Sequence, residues 1–401
     1  MSSYSVFLTD NCNLSCSYCA LGNKKVGRMS LETGIAAIDY ALRNGGRQPE
    51  ICFFGTEVLL EWSLAQKLIV YARRRFDELT GQNNGPEKLH LSLTTNGLLL
   101  DEGKMAFLEE NGVDLSVSID GNEQTHNTHR LLPNGKPTYQ RLASLFPLLL
   151  KYRPLVTIAS TFTPHTVANL YVGLRDLYSQ GFRRMTFSLN RDDPGWHVEH
   201  FDIYASQVEQ VALWYARLLM AGDSELRLGY LDLVMEGSLN ATTGHCGFGE
   251  YQLAVGTDGS FYPCWRLYGW PDLRLGDVRR GPDQSQLSKL RLFDFKDLKE
   301  CADCSVSPYC LRCPWLNLIE GGSVHNLAKR NCQEKKATVR AALMARDMLL
   351  EARSPVYMAR INTEGWESLG DDGASGYVYV RQGDRLFRLP DEIAEQYLIR
   401  H

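Results

Sequence analysis

No run of apolar residues reaches the roughly 18 positions that a membrane-spanning helix requires. Residues 1–10 hold no basic stretch leading into an apolar core, so no secretory signal is expected. Neither sign of charge dominates: 43 Lys and Arg face 47 Asp and Glu, a formal net charge of −4. That balance gives no bulk electrostatic reason to bind nucleic acid or an anionic membrane. A cytoplasmic protein with no nucleic-acid or membrane partner is expected. Internal repeats and low-complexity tracts are missing, which excludes a solenoid or a linker-like chain. Apolar residues make up 44% of the 401, enough for a core, which excludes a largely disordered chain.

Cysteine is almost missing from the middle of the chain. Ten of the 11 cysteines fall into two groups, Cys12, Cys16, Cys19 and then Cys246, Cys264, Cys301, Cys304, Cys310, Cys313, Cys332. Only Cys52 lies between them. A disulfide scaffold is short and secreted, and this chain is neither. Clustered cysteines here point to metal or cluster ligation. Cys52 sits within an apolar strand, where a small buried side chain is the simpler reading.

Strand-like segments fall at 5–8, 50–54, 89–95, 114–119, 156–162 and 184–189. Helical patterns fill the gaps at 30–43, with a Ser N-cap, and at 60–79, 102–110, 138–152 and 167–180. Six strands alternating with helices predict an α/β fold with a parallel sheet, open or curled toward a barrel. Ligands then sit at the C-terminal strand ends. A further helix is predicted at 206–220. From 244 to 332 the alternation gives way to turns and cysteines, which suits a small fold held by metal. A charged amphipathic helix is predicted at 334–353, and a hairpin at 377–389 turns at Gln382-Gly383-Asp384.

The first group reads Cys12-x3-Cys16-x2-Cys19 directly after the first strand. Three thiolates on one loop can hold three irons of a cubane and leave the fourth open; a zinc loop would lack a ligand. With Tyr18 before the last Cys, at the end of strand one of an alternating domain, the segment resembles the radical S-adenosylmethionine (SAM) superfamily. The resemblance implies a partial (β/α)6 TIM-like barrel. It also implies a cluster that donates an electron to SAM and so releases a 5′-deoxyadenosyl radical. Tyr18 would sit against the adenine. Gly55-Thr56-Glu57-Val58 resembles the family's Gly-Gly-Glu-Pro loop, with Thr56 and Val58 as departures. Glu57 would pair with the SAM ammonium. Asn96, in Thr94-Thr95-Asn96-Gly97, matches a ribose turn. Ser118 and Arg130, in Ser118-Ile-Asp120-Gly121…His126-x3-Arg130, would contact SAM, with Arg130 on its carboxylate. Asn190 is a weaker candidate.

The second group resembles the SPASM domain: Cys246-x12-Gly259-x4-Cys264, Cys301-x2-Cys304-x5-Cys310-x2-Cys313, then Cys332. It departs in having two residues, not three, between Cys310 and Cys313. By this resemblance Cys301, Cys304, Cys310 and Cys332 ligate one auxiliary cluster, and Cys246, Cys264 and Cys313 another. Three [4Fe-4S] clusters, about 12 Fe, are expected. The three-Cys auxiliary site leaves an iron open or held by a non-Cys ligand, with His245 and Glu250 nearby. Two zinc sites are the alternative. The expected organisation is a radical SAM barrel at 1–195, a helical linker at 196–243, the cysteine-rich domain at 244–335, and a helix with a hairpin tail at 336–401.

Enzymes of this kind mostly modify peptides. The main expectation is a radical SAM oxidoreductase that forms a thioether or carbon–carbon crosslink in a ribosomal precursor peptide. It would draw electrons from a donor such as flavodoxin or ferredoxin. A small-molecule dehydrogenase or epimerase, a formylglycine-forming sulfatase-maturating enzyme and a noncatalytic iron–sulfur or zinc protein are the alternatives. Sulfatase-maturating enzymes place an Asp directly after the cysteine of Gly-x4-Cys; here that residue is Trp265, which cannot act as a base. No catalytic base is assigned from sequence. Trp196, Trp265, Trp270 and Trp315 offer aromatic surface near the expected channel.

Overall fold

The structure is a computed structural model. It describes residues 2–21, 27–82, 85–237, 246–290 and 298–361, and three strands of the tail. A nine-stranded sheet organises it. Its strands are β1 (Ser3–Phe7), β2 (Glu50–Phe54), β3 (His90–Thr95), β4 (Val113–Ser118), β5 (Thr157–Phe162), β6 (Arg184–Leu189), β7 (Arg227–Leu228), β8 (Gln252–Val255) and β9 (Phe261–Tyr262). The order is β7-β6-β5-β4-β3-β2-β1-β8-β9. β1 to β7 pair in parallel in sequence order, with helices as the crossovers between most of them. The six predicted strands are present. The sequence reading missed β7 at one edge and β8–β9 at the other. Both are too short to show a period, and β8 is fixed by parallel pairing of Gln252–Val255 with β1.

Alternation along each strand explains why the sheet encloses space. Ile51, Phe53, Leu91, Leu93, Leu115, Val117, Ile158 and Phe162 are buried on one face, against the crossover helices. The other face carries Cys52, Ser92, Thr94, Ser116, Ser118, Ala159 and Thr161. Small residues there leave a chamber where a closed barrel is filled by bulky layers. The helix Leu31–Asn44 shows how the outer layer is built. Ser30 Oγ accepts the Thr33 N–H at 3.0 Å, and Ala37, Ile38, Ala41 and Leu42 face the sheet.

Three helices differ from expectation. The 138–152 pattern divides into Tyr139–Ala143 and Phe146–Tyr152 because Pro147 has no N–H to continue the ladder. The 206–220 helix starts two turns earlier, as Val198–Met220, where the His197 N–H donates to His200 Nδ1 at 3.1 Å. The charged helix is Lys329–Glu351, and it buries Glu334, Lys335 and Arg346 rather than displaying them. It packs against Val198–Met220, with Tyr204 and Thr338 hydroxyls 2.6 Å apart. The tail hairpin pairs Tyr377–Gln382 with Arg385–Pro390, and Glu367–Asp371 adds a third, unforeseen strand. No helix among the described residues is long and apolar enough to cross a membrane.

Candidate active site

The loop after β1 carries Cys12, Cys16 and Cys19 and is anchored by neighbours far away in sequence. The Ser15 N–H donates to the Leu131 carbonyl at 2.8 Å, and Ser17 Oγ lies 2.6 Å from His129 Nδ1. Asn96 Nδ2 donates to Asn13 Oδ1 at 2.7 Å, beside Cys12. The three cysteines line a cavity of about 240 Å³ at the C-terminal ends of the strands. Tyr18, Gly55, Thr56, Asn96, Ser118, Arg130 and Asn190 line it too. Six strand ends therefore surround one chamber, as the α/β rule requires.

After β4, one buried carboxylate organises the wall. Asp120 Oδ2 accepts from Arg130 Nε at 2.9 Å and from the Tyr18 hydroxyl, while Oδ1 accepts the Thr161 N–H at 2.9 Å. Burial works against the Arg130 cation, yet Asp120 beside it keeps it protonated. The Arg130 guanidinium also lies 5.5 Å from the Tyr18 ring centroid. A relay fixes both ends of the pair. The Asp120 N–H donates to His126 Nδ1 at 3.3 Å, His126 Nε2 lies 3.1 Å from Thr138 Oγ1, and that hydroxyl donates to the Arg130 carbonyl at 2.6 Å. The direction of each bond requires neutral His126 with its proton on Nε2. Burial accordingly lowers its pKa to about 4.

After β2, Gly55 adopts φ +129°, and a Cβ there would meet the Phe7 ring at 2.5 Å, so only glycine fits. Thr56 Oγ1 donates to the Thr9 carbonyl at 2.7 Å and ties this loop to the cysteine loop. Glu57 differs from expectation. It is fully buried and does not line the cavity. Its oxygens accept from Leu59 N at 3.0 Å, Thr95 Oγ1 at 2.7 Å and Asn96 N at 2.8 Å. The carboxylate braces the β3 turn from behind the cavity wall. Cys52 lies near Ser92 and Thr94 on the chamber face, apart from both C-terminal cysteine sets, and burial pushes its thiol to about 11.

Four of the seven C-terminal cysteines share one cavity, and the other three lie within electrostatic reach of one another. Cys301, Cys304, Cys310 and Cys332 line one cavity of about 90 Å³. Cys246, Cys264 and Cys313 interact electrostatically with one another. Among the described residues no three His, Cys, Asp or Glu side chains gather as tightly as a single ion requires. A water molecule needs only about 10–15 Å³, so the four-cysteine cavity has room for a group larger than one ion. Burial pushes Cys264 and Cys310 up to about 12 and Cys16 to about 11. Such thiols become ligands when a cationic group displaces the proton, so the donor set fits iron–sulfur ligation. His245 lies outside the described residues.

The chamber closes with Trp265 and Arg266 from the turn after Cys264. Trp265 meets Phe54 edge-on at 5.0 Å. The Arg266 guanidinium lies 4.5 Å from both the Trp265 and Trp315 rings and bonds Asp192 at 3.0 Å. Among the described residues lining the chamber there is no Asp, Glu or His.

Residues 6–167 match the radical SAM superfamily. Over those residues the chain is similar to radical SAM enzymes. It is 26% identical over 349 residues to the cysteine-type anaerobic sulfatase-maturating enzyme of Clostridium perfringens (strain 13), covering 82% of this chain and 88% of that one. Its fold is that of solved anSMEcpe with bound AdoMet and Kp18Cys peptide, with a TM-score of 0.70, 22% identity, and coverage of 88% of this chain and 99% of that one. It is also that of Streptococcus suis SuiB bound to precursor peptide SuiA, with a TM-score of 0.59, 14% identity, and coverage of 82% and 75%.

The fold thus brings every predicted N-terminal site residue except Glu57 to one chamber. Asp120, His129 and Arg266 were not singled out beforehand. Asp120 was within reach, since it ends the strand motif that carries Ser118. Arg266 follows a cysteine in an irregular turn, and nothing in the sequence aims it at the chamber.

Proposed function

We propose that this radical SAM enzyme oxidises a side chain of a peptide or protein substrate by two electrons, with a cysteine residue as the target. The observation that carries this is the likeness to a cysteine-type sulfatase-maturating enzyme over 82% of the chain, well beyond residues 6–167. In this reading Cys12, Cys16 and Cys19 hold the SAM-cleaving [4Fe-4S] cluster. Tyr18, Gly55, Thr56, Asn96, Ser118, Arg130 and Asn190 receive SAM, and Glu57 positions Asn96 from behind. Bound there, the reduced cluster and SAM supply a radical that removes a hydrogen atom from the substrate. The Asp120 bond uses Arg130 Nε, and the terminal guanidinium nitrogens are assigned to the SAM carboxylate. Trp265 and Arg266 shield the chamber from water on the substrate side.

Cys246, Cys264 and Cys313 are assigned to one auxiliary cluster, and Cys301, Cys304, Cys310 and Cys332 to the other. Held there, the clusters would supply a one-electron acceptor for the second electron. Three clusters and an external donor of the flavodoxin or ferredoxin type complete the reading. No disulfide joins the cysteines among the described residues. The barrel at 1–195, linker at 196–243, auxiliary domain at 244–335 and tail at 336–401 are the working division.

Formylglycine is the product that the sulfatase-maturating relatives favour. Removing two electrons and two protons from CH₂–SH leaves a thioaldehyde, which water converts to the aldehyde and hydrogen sulfide. A second reading rests on Trp265: with no carboxylate among the described residues lining the chamber, the substrate sulfur is retained in a thioether or carbon–carbon crosslink. Anaerobic incubation with SAM, a reductant and a cysteine-containing peptide separates them. An aldehyde that reacts with a hydrazine supports the first, and loss of two hydrogens with sulfur kept supports the second. Unmodified peptide with a consumed sugar contradicts both.

A further inference from the structure

The helix Lys329–Glu351 carries Cys332 and, one turn on, two adjacent buried charges. Glu334 Oε1 accepts from Arg191 Nη2 at 2.6 Å, and the Lys335 ammonium lies 3.5 Å from the same carboxylate. Arg191 directly follows Asn190 of the SAM chamber. Burial works against the Lys335 ammonium, and Glu334 beside it favours the charged form. Lys335 also lies 4.0 Å from the Tyr230 ring centroid. The Tyr230 hydroxyl donates to the Tyr309 carbonyl at 2.6 Å and accepts the Leu311 N–H at 3.3 Å, clasping the backbone on both sides of Cys310. Lys335 lines the four-cysteine cavity and interacts electrostatically with both Cys310 and Cys313. One buried lysine therefore lines the cavity of the four-cysteine set, within electrostatic reach of Cys313 of the other. Arg312 and Lys336 line the cavity as well; Lys335 itself is held by a buried carboxylate, Glu334.

We infer that Lys335 is a positioning residue for electron transfer, a fixed cation that stabilises the reduced state of the auxiliary sites. The inference rests on the reading of two auxiliary clusters. Reduction adds one negative charge, and a buried cation close by favours it because little water screens the interaction. The effect would be largest at the site Lys335 lines, which would make it the better electron acceptor of the two. From there the electron leaves to a one-electron carrier of the flavodoxin type. Glu334 holds the ammonium in place, and Arg191 holds Glu334.

The test is an EPR-monitored redox titration of full-length, anaerobically reconstituted protein in the Cys12/Cys16/Cys19→Ala background, where only the auxiliary sites report. Lys335→Met should lower the midpoint of the four-cysteine site by at least a tenfold change in the reduced-to-oxidised ratio, about 59 mV. Lys335→Arg should stay near the unsubstituted value. Glu334→Gln, which removes the counter-charge, should raise the midpoint, and it decides the matter if Lys335→Met loses iron. An unmoved midpoint in Lys335→Met with full iron content, or a midpoint that Glu334→Gln leaves unmoved or lowers, overturns the inference. Without the substitution at 335, iron absent from both auxiliary sites defeats the cluster reading instead.

Discussion

Arg130 Nε lies 2.9 Å from Asp120 Oδ2, and that same oxygen takes the Tyr18 hydroxyl. One buried carboxylate thus holds the aromatic ring of the cysteine loop and the guanidinium of the chamber wall. Asp120→Asn leaves Arg130 a buried cation without its counter-charge. Loss of one partner of a buried pair costs about 3–5 kcal/mol. Denaturant unfolding should show a drop of that size, and calorimetry should show weakened SAM binding. Unchanged stability and SAM affinity would contradict the arrangement.

His126 makes stability depend on pH. Its folded pKa is about 4, below the ordinary value of 6.5. The unfolded chain therefore binds the extra proton first as pH falls. The contribution is complete above about pH 6.5 and is lost between there and about pH 4. It amounts to about 2 kcal/mol by pH 5. Unfolding curves at pH 7 and pH 5 should show that difference between the unsubstituted protein and His126→Asn, whose slope lacks this term.

Glu57 is expected to act through the loop it braces. Glu57→Gln keeps the shape but turns one acceptor into a donor facing the Asn96 N–H or the Thr95 hydroxyl. A buried donor or acceptor left unmatched costs about 1–3 kcal/mol. The variant should lose stability on that scale and bind SAM more weakly. Loss of SAM binding without loss of stability would favour direct contact with the ligand instead.

Trp265 should matter to substrate more than to SAM. Trp265→Ala removes the wall opposite Phe54, admits water and leaves Arg266 without one of its two aromatic faces. Peptide turnover should fall roughly tenfold or more, about 1.4 kcal/mol in transition-state binding. Reductive SAM cleavage without peptide should persist. Equal loss of both would show that Trp265 supports the cluster rather than the substrate.

Much of the fold was legible because the barrel strands are short, apolar and regularly separated by amphipathic helices. The clustering of the cysteines was legible too; their division into two ligand sets came from the resemblance, and the structure gathers Cys301, Cys304, Cys310 and Cys332 at one cavity. What sequence could not show follows from physics at longer range. Strands β7, β8 and β9 have two to four residues, too few for a period, and exist through pairing. The helix Lys329–Glu351 looks solvated by composition, yet Arg191 from another loop makes burial of Glu334 tolerable. Glu57 occupies the position of a ligand-facing acid, but the hydroxyl at Thr95 and the turn at Asn96 claim its oxygens first. Trp265 was noted as a missing base; that Arg266 would be stacked beside it depended on Trp315, fifty residues away.

The most direct test is to incubate the reconstituted, reduced protein with SAM and a cysteine-containing peptide under anaerobic conditions. 5′-Deoxyadenosine and the peptide mass are followed together. The account requires 5′-deoxyadenosine to form and the peptide to undergo a two-electron oxidation, and both to vanish in Cys12/Cys16/Cys19→Ala. Peptide that stays at its original mass while SAM is cleaved and a small molecule is consumed would contradict it.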